Sequence, residues 1–299
     1  MKLIFQNVSK SYGKNKALQG FSATLTPGIY ALMGPNGSGK STLVNILTGN
    51  LSSDSGDIYY SENEDNPENI LNMGVRFREK LGFMPQYPGY YPNFSVERFL
   101  YYIAAIKDID KKEADKQIAD ILKRVELEDV RKRPIRTLSG GMKQRLGLSQ
   151  AVLGSPKILI LDEPTAGLDP KQRIEIRNYI SEIALDKIVL LATHVVSDVE
   201  FTAKEIIMLR KGQIIAFDSA AALVKTTEGK VWNITCGHDE VARLQKKYHV
   251  TNINAEDDGV KLRVLHDGKP TETAAEVMPT LEDYYLSIFG ADEVSDKII

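Results

Sequence analysis

Short apolar stretches separated by turn residues run through the first 60 residues and predict β-strands. These stretches are KLIFQNV (residues 2–8), KALQGFSATL (16–25), GIYALMG (28–34) and GDIYY (56–60). GKSTLVNILTG (39–49) repeats its apolar residues at helical spacing, so we expect a helix that Gly49 ends. Residues 61–69 are polar, acidic and interrupted by Pro67, which predicts a loop.

Helical patterns dominate about residues 95–155. SVERFLYYIAAI (95–106) predicts one helix, and a second is expected after Asp110, whose side chain can cap it while Glu113 reaches back to the cap. The apolar residues of the second helix recur at spacings that place them on one face. They are Ala114, Ile118, Ile121, Leu122 and Val125.

Two continuous apolar runs follow, KILILDEP (157–164) and KIVLLATH (187–194). Runs of this kind are typical of strands that are buried on both faces of a parallel sheet. Between them, Asp169 and Pro170 predict the cap and the first turn of a further helix. This alternation of strands and helices predicts an α/β fold with a helix-covered sheet.

The pattern changes near residue 225. KEIIMLRKGQIIAFDS (204–219) predicts a hairpin that turns at Lys211-Gly212. After it, three β patterns surround one short helical pattern, and a last helix, LEDYYLSIF, is expected to end at Gly290. We therefore expect a large α/β domain over residues 1–224 and a small α+β appendage over residues 225–299.

Composition limits the functional classes. With 42% hydrophobic and 26% charged residues the chain is globular in type, and its net charge of -2 gives no general attraction for nucleic acid. The basic run RKRPIR (131–136) is expected to be a solvated surface loop. Cys236 is the only cysteine, so an internal disulfide is excluded. No apolar run approaches the roughly 18 residues of a transmembrane helix, so work at a membrane would need other chains to span it.

The segment GPNGSGKS, residues 34–41, matches the phosphate-binding pattern G-x-x-x-x-G-K-[ST] between a predicted strand and a predicted helix. Its glycines allow backbone N–H groups to surround a β-phosphate. Lys40 is predicted to reach the β- and γ-phosphates, and Ser41 to offer its hydroxyl to Mg²⁺. A glycine-rich turn without a ligand is the alternative, which the strand–helix context disfavours.

The run ILILDE, residues 158–163, ends a predicted buried strand in two adjacent carboxylates. Asp162 is predicted to hold Mg²⁺, and Glu163 to orient and deprotonate the attacking water in phosphoryl transfer. An apolar strand followed by Asp-Glu is common in itself. Its combination with a phosphate-binding loop predicts an active site.

Four further features are weaker when each is taken alone. Tyr12 lies in a predicted turn, where it could pack internally or stack on an adenine. Gln86 and His194 each follow a predicted strand, as many structural residues do. Residues 139–141 form a Ser-Gly-Gly helix start, which predicts a second anion site.

Together these features occur in a characteristic order: Tyr12, GPNGSGKS, Gln86, LSGGM, LILDEP, GLDP and His194. Over roughly the first 220 residues the chain resembles the nucleotide-binding subunit of ATP-binding-cassette (ABC) transporters. The resemblance implies a P-loop NTPase (RecA-like) core, an N-terminal antiparallel β subdomain and a helical signature subdomain at about residues 95–155.

The resemblance also implies ATP and Mg²⁺ as cofactors and assigns roles to residues. The implied catalytic residues are Glu163, Gln86 and His194, the last as the switch histidine. The implied metal ligands are Ser41, Gln86 and Asp162. The resemblance also places Asp169 in the D-loop. The residues implied in nucleotide binding are Tyr12, Gly34, Pro35, Asn36, Gly37, Ser38, Gly39, Lys40, Ser41, Thr42, Ser139, Gly140 and Gly141. Met142 stands where the family usually has Gln, a departure that concerns coupling rather than phosphate contact.

In this family two cassettes pack head to tail, and the signature of one covers the γ-phosphate held by the other. The resemblance thus explains two anion sites in one chain. It implies a second nucleotide-binding subunit, with a copy of this chain preferred, and a transmembrane permease on a separate chain, at the cytoplasmic face of the membrane. Alone, the chain is expected in the cytoplasm.

The segment PTLEDYYLSIFG, residues 279–290, resembles the tails of ATPase subunits of drug and antibacterial-peptide exporters, or is an amphipathic helix that closes a small domain. Two other functions stay open. One is a soluble cassette ATPase that acts in ribosome function or protein assembly; the other is a degenerate regulator. The aromatic loop QYPGYYPNF (86–94) is either a docking face for a membrane partner or packs internally.

Overall fold

The computed structural model describes residues 1–63, 66–256 and 259–295. The chain separates into two compact units, Met1–Phe217 and Asp218–Ile299. The sequence-based boundary at residue 224 stays a prediction; it lies near the end of a short helix that belongs to the second unit.

The described elements are numbered in chain order. The strands of the first unit are β1 (Lys2–Tyr12), β2 (Asn15–Leu25), β3 (Gly28–Met33), β4 (Ser55–Ser61), β5 (Glu68–Asn69), β6 (Leu81–Met84), β7 (Ile158–Asp162), β8 (Ile188–Ala192), β9 (Glu205–Arg210) and β10 (Gln213–Asp218). Its helices are α1 (Lys40–Leu47), α2 (Ile70–Met73), α3 (Val75–Arg78), α4 (Val96–Ile106), α5 (Lys111–Arg124), α6 (Gly140–Val152), α7 (Pro170–Ile183) and α8 (Val196–Val199). The second unit contains α9 (Ala220–Lys225), β11 (Val231–Cys236), α10 (Val241–Lys247), β12 (His249–Glu256), β13 (Gly259–Leu265), β14 (Ala275–Glu276) and α11 (Leu281–Ser295).

The central sheet of the first unit has the strand order β10-β9-β3-β8-β7-β6. Strand β3 pairs in parallel with β8 and β9, and β7 pairs in parallel with β8 and β6. Every residue of β8 is buried, as are four of the five in β7, because both faces of the sheet are covered. The predicted α/β fold with a parallel sheet is confirmed.

A second, antiparallel sheet in the first unit has the order β2-β1-β4-β5. Its apolar face shares one core with α1 and the central sheet. In that core the rings of Phe5 and Phe21 meet edge to face with centroids 5.1 Å apart. The N-terminal antiparallel β part that the resemblance implied is therefore present, and it packs beside the start of α1.

The segment that connects β6 to β7 in the central sheet is mainly helical, as predicted. Asp110 caps α5 by accepting a hydrogen bond from the Lys112 amide at 2.9 Å, and the predicted apolar residues of α5 are buried. Glu113 differs from the expectation: it accepts a hydrogen bond from Gln117 Nε2 at 2.8 Å instead of reaching back to the cap.

Two predictions of element boundaries were wrong. Residues 61–69 are not only loop, since Ser61 ends β4 and Glu68–Asn69 pairs with that strand; residues 64–65 lie outside the described residues. The last helix does not end at Gly290 but continues to Ser295. A Cβ at residue 290 would lie 2.6 Å from the His249 ring, so glycine is needed there for close packing and not to stop the helix.

The second unit has an antiparallel sheet with the order β12-β13-β11-β14. Its core combines Trp232 and Leu262 from the sheet with Leu244 of α10 and Tyr248 just after it. Arg263 on β13 holds the start of α11 through Asp283, with Nε–Oδ1 and Nη2–Oδ2 distances of 2.9 and 2.7 Å. Asp283 also accepts hydrogen bonds from the amide and hydroxyl of Thr280, both at 2.8 Å.

We expect Asp283→Asn to destabilise the second unit by about 2–3 kcal/mol, because it leaves the Arg263 guanidinium without its charge partner. Burial acts to raise the pKa of Asp283, but the hydrogen bonds from Arg263 and Thr280 outweigh it and lower that pKa. The stabilisation is therefore present above the unfolded carboxyl pKa of about 3.9 and is lost as the pH falls through the folded pKa. Thermal unfolding of both proteins at pH 7 and in acid measures this; equal melting temperatures at pH 7 would contradict it.

Candidate functional site

The loop of residues 34–39 joins β3 to α1, and two of its glycines are required by space. At Gly34, with φ 146°, a Cβ would lie 2.2 Å from the Leu209 carbonyl oxygen. At Gly39, with φ 111°, a Cβ would lie 2.4 Å from the Ala17 carbonyl oxygen. At both positions the positive φ and the close approach of a carbonyl oxygen exclude residues with a Cβ. The two glycines therefore allow the tight loop conformation at the start of α1.

Lys40, the first residue of α1, folds its side chain back over this loop. Its Nζ donates hydrogen bonds to the carbonyl oxygens of Gly34 and Pro35, at 2.6 and 3.0 Å. Burial lowers the pKa of Lys40, while the charges of Glu163 and Asp162 act in the opposite direction. The ammonium group therefore lies within electrostatic reach of both carboxylates, at the end of a helix whose N–H groups can bind an anion.

Asp162 is the last residue of β7. Burial and the adjacent Glu163 carboxylate raise the pKa of Asp162, and the Lys40 charge lowers it by less. A carboxylate in this environment gains from a nearby cation. Asp162 and the exposed residue Ser41 would offer a carboxylate and a hydroxyl, which are oxygen ligands of the kind that Mg²⁺ uses beside a polyphosphate.

Glu163 is 7% exposed and has φ 52°, a left-handed backbone angle that costs a residue with a Cβ about 1–2 kcal/mol. Its amide donates to the Ala192 carbonyl at 2.8 Å. Its carboxylate accepts from the His194 amide at 3.1 Å and from the Thr193 hydroxyl at 3.2 Å, and His194 Nδ1 lies 2.7 Å from Oε1. The carboxylate is thus aimed by the residues that follow β8.

The Ser-Gly-Gly segment begins α6. Ser139 caps the helix through a hydrogen bond from the Met142 amide to its hydroxyl, at 3.2 Å. Ser139 and Gly140 are exposed, and apart from its chain neighbours and the backbone of α6, no described residue has a heavy atom within 4 Å of the position that a Cβ on Gly140 would take. A Cβ on Gly141 would lie 3.2 Å from Gln172 Oε1, beside the start of α7. This helix start therefore presents its N–H groups to solvent.

The remaining candidate residues are spread around the site. Tyr12 is the last residue of β1, not part of a turn, and is 51% exposed. Gln86 is exposed two residues after β6, and the His194 side chain is 71% exposed although its Nδ1 contacts Glu163. Asp169 caps α7 as predicted, accepting from the Gln172 amide at 2.9 Å. The structure therefore joins His194 to Glu163 directly, and the roles of Tyr12 and Gln86 stay predictions.

Sequence reasoning missed two residues that contact Glu163. Thr193 bonds its carboxylate, and Gln144 on α6 donates a hydrogen bond from Nε2 to its backbone carbonyl oxygen. No sequence signal pointed to Gln144, because its partner is a main-chain group 19 residues away.

A phosphate-binding loop between β3 and α1, with two carboxylates at the end of β7 in the same parallel sheet, defines a P-loop nucleoside triphosphatase. The ABC transporter family model matches residues 18–166. The lantibiotic transport ATP-binding protein SrtF of Streptococcus pyogenes is 36% identical over 215 residues, or 71% of this chain and 89% of SrtF. The linearmycin resistance ATP-binding protein LnrL of Bacillus subtilis is 31% identical over 307 residues, or 95% and 97% of the two chains.

Among solved structures, the dimeric post-hydrolysis state of the ATP-binding cassette MJ0796, bound to ADP and Pi, superposes with a TM-score of 0.65. It is 26% identical and covers 73% of this chain and 98% of its own. The chain belongs to the ABC transporter family as an ATP-binding subunit, and it is an ATPase. The resemblance to subunits of the drug-exporter type is confirmed. In the part of the chain that the structure describes, no helix is long and apolar enough to cross a membrane.

We expect Glu163→Gln to bind ATP normally and to lose turnover by about 10²–10⁴-fold, because the amide cannot accept the proton of the attacking water. Steady-state phosphate release and equilibrium nucleotide binding measure the two properties separately. Glu79→Gln, the same change at an exposed position, serves as the control. Undiminished phosphate release by Glu163→Gln would remove Glu163 from this role.

Proposed function

We propose that this chain is the Mg²⁺-dependent ATP-hydrolysing subunit of a membrane exporter, works as a head-to-tail dimer, and drives transmembrane helices that lie on a separate permease chain. The observation that carries the proposal is the pair of helix starts in one unit. One begins with Lys40, whose ammonium is within electrostatic reach of Glu163, and the other begins at Ser139, where Ser139 and Gly140 are exposed. Such a solvent-facing anion site is suited to a nucleotide held by another subunit.

In this mechanism the loop and Lys40 bind the β- and γ-phosphates, after Lys40 exchanges its carbonyl contacts for phosphate oxygens. Ser41 and Asp162, with Gln86, would hold Mg²⁺, and the metal would supply positive charge that offsets the charge of the triphosphate. Tyr12, exposed at the end of β1, is available to stack on the adenine.

Hydrolysis then needs one positioned water. Its oxygen attacks the γ-phosphorus, the bond from that phosphorus to the bridging oxygen breaks, and ADP leaves. Glu163 Oε1 or Oε2 accepts the proton of the water, and His194 keeps the carboxylate aimed through its amide and Nδ1. The Lys40 ammonium offsets the charge of the phosphates in the transition state.

The dimer completes each site. Ser139 and the two glycines after it would donate hydrogen bonds from one chain to the γ-phosphate bound by the other. The similarity to a dimeric cassette with ADP and Pi supports this arrangement. Because the partner's signature is required, two nucleotides would be enclosed between two chains, and ATP binding would close the dimer.

An exposed aromatic surface supports docking of a permease. We call it the aromatic patch: Tyr87, Tyr91, Phe94 and Tyr102. Tyr87 is 85% exposed, and the other three rings contact one another, with Tyr91 and Phe94 stacked at 4.9 Å. Tyr90 of the same segment packs internally and donates to the Lys143 carbonyl at 2.5 Å. Exposed aromatic rings of this kind are typical of binding surfaces.

Export is the favoured direction, because the relatives SrtF and LnrL are described as acting in lantibiotic transport and linearmycin resistance. The same relatives support transport over action on ribosomes or in protein assembly. Location at the cytoplasmic face of the membrane follows from a permease partner, which would provide the spanning helices.

The dimer is tested by mixing two variants. We expect Lys40→Ala and Gly140→Asp each to be nearly inactive, the first through its P-loop and the second because a carboxylate would face the partner's γ-phosphate. Their mixture should recover part of the ATPase activity, since one site of each mixed dimer carries both lesions and the other carries neither. Gly140 is chosen because the space around it accepts a side chain.

Size-exclusion chromatography with differently tagged chains shows whether mixed dimers form. Mixed dimers without recovered phosphate release would contradict the head-to-tail arrangement, provided that a tethered dimer with only one intact site turns over under the same conditions.

The aromatic patch predicts how the permease is recognised. We expect Tyr87→Ser to reduce co-purification of the permease encoded with this subunit by about tenfold, the effect of losing one interface hot spot. Phe201→Ser is the matched control, because Phe201 is equally exposed, at 82%, outside the patch. Equal losses in both variants, or none in either, would speak against this docking surface.

A further inference from the structure

We infer that Gln144 is a positioning residue for Glu163, through which the signature helix of a chain controls the catalytic carboxylate of the same chain. The inference rests on the proposed function, since it assumes that the signature serves the neighbour's nucleotide. According to this inference, the side chain of Gln144 links the signature of one ATP site to the catalytic carboxylate of the other.

The contact has a defined direction. Gln144 lies on α6, and its Nε2 donates to the Glu163 carbonyl oxygen. A carbonyl oxygen can only accept, so the amide nitrogen of Gln144 must face it. The Ala166 amide donates to the same oxygen at 3.2 Å, as expected for the turn that follows β7.

Glu163 is a residue whose orientation needs support. Its φ of 52° lies in the left-handed region, and its amide is already bonded to Ala192 of β8. The hydrogen bond from Gln144 holds the other side of the residue, at its carbonyl. Without it, only the Ala166 amide holds this carbonyl oxygen, so we expect the peptide after Glu163 to shift and to move the carboxylate from the position that Thr193 and His194 give it.

Helix α6 is also attached on its other face. Arg145, the next residue, is 5% exposed, and its Nη1 donates to the carbonyl oxygens of Val125 and Glu126, at 2.7 and 3.2 Å. Successive helical residues point about 100° apart, so neighbouring side chains bind different partners. At the far end, Lys107 Nζ donates to the Leu153 carbonyl at 2.5 Å.

Helix α6 therefore joins the helical segment to the end of β7. When the signature engages the neighbour's nucleotide, any shift of α6 reaches Glu163 through Gln144. The carboxylate of a chain is then held in its active position by the signature helix of the same chain. A movement of the signature at one ATP site would in this way reach the catalytic carboxylate at the other.

The first measurement is on the single variant Gln144→Leu, which keeps the approximate volume but cannot donate. We expect kcat for ATP to fall at least tenfold, because displacements below 1 Å at a catalytic group cost about that much, with ATP affinity unchanged within threefold. Gln150→Leu is the matched control on the same helix: no hydrogen bond from the Gln150 side chain is present among the described residues, and its kcat should stay within twofold.

The second measurement separates positioning from general damage to α6. In the mixed dimer of Lys40→Ala and Gly140→Asp, the one working site takes Glu163 from the Gly140→Asp chain and the signature from the Lys40→Ala chain. Adding Gln144→Leu to the Gly140→Asp chain should lower the recovered activity at least tenfold. Adding it to the Lys40→Ala chain should lower it less than twofold.

The outcomes are distinct. The reverse pattern, or equal losses from both placements, would overturn the inference, since Gln144 would then act through the signature. If the parent mixture recovers nothing, the proposed dimer is wrong, and unchanged kcat in Gln144→Leu alone still overturns the inference. Should Gln144→Leu fail to fold, Gln144→Glu keeps the length and polarity while its carboxylate cannot donate, and the same results are expected.

Discussion

The parallel pairing of β3, β8 and β7 is the constraint on which the active site depends. In register across the sheet, Leu32 lies beside Ala192, and Ala192 lies beside Asp162. Adjacent strands are about 4.8 Å apart, so the carboxyl ends of these three strands lie within about 10 Å of one another at one edge of the sheet. The groups that follow the strands therefore begin close together. The phosphate-binding loop, the acidic pair and the Thr193-His194 pair each begin where one of these strands ends, and none of them could meet in another strand order.

Local patterns made much of this site predictable. The phosphate-binding loop and the apolar strand before Asp162 are each formed by consecutive residues. Their local structure can therefore be predicted without knowledge of the fold. The order of the strands is not local. The contact between His194 and Glu163 depends on β8 pairing with β7, and only the resemblance to a known family indicated that the two side chains act together.

The wrong prediction at Gly290 shows where local patterns are insufficient. Gly290 was expected to end a helix, but the space beside His249 decides its role, and that space is created by a distant strand. In the aromatic segment, Tyr90 and Tyr87 are alike in sequence, yet one is bonded to Lys143 and the other is exposed. The structural role of a residue thus depends on neighbours that are distant in the sequence. Gln144 illustrates this most clearly, because its partner is a main-chain oxygen that no sequence pattern indicates.

The charges around the site explain why the proposed metal would be needed. Asp162 and Glu163 are adjacent, and burial with mutual repulsion raises the pKa of Asp162 even though Lys40 is near. One lysine cannot offset two carboxylates and a triphosphate, so a nucleotide alone would add negative charge where it is already in excess. A nucleotide that arrives with a divalent cation would reverse this balance at Asp162 and would leave the Lys40 ammonium for the phosphates. The electrostatics that make the acidic pair unfavourable in isolation would therefore favour binding of the nucleotide as its metal complex.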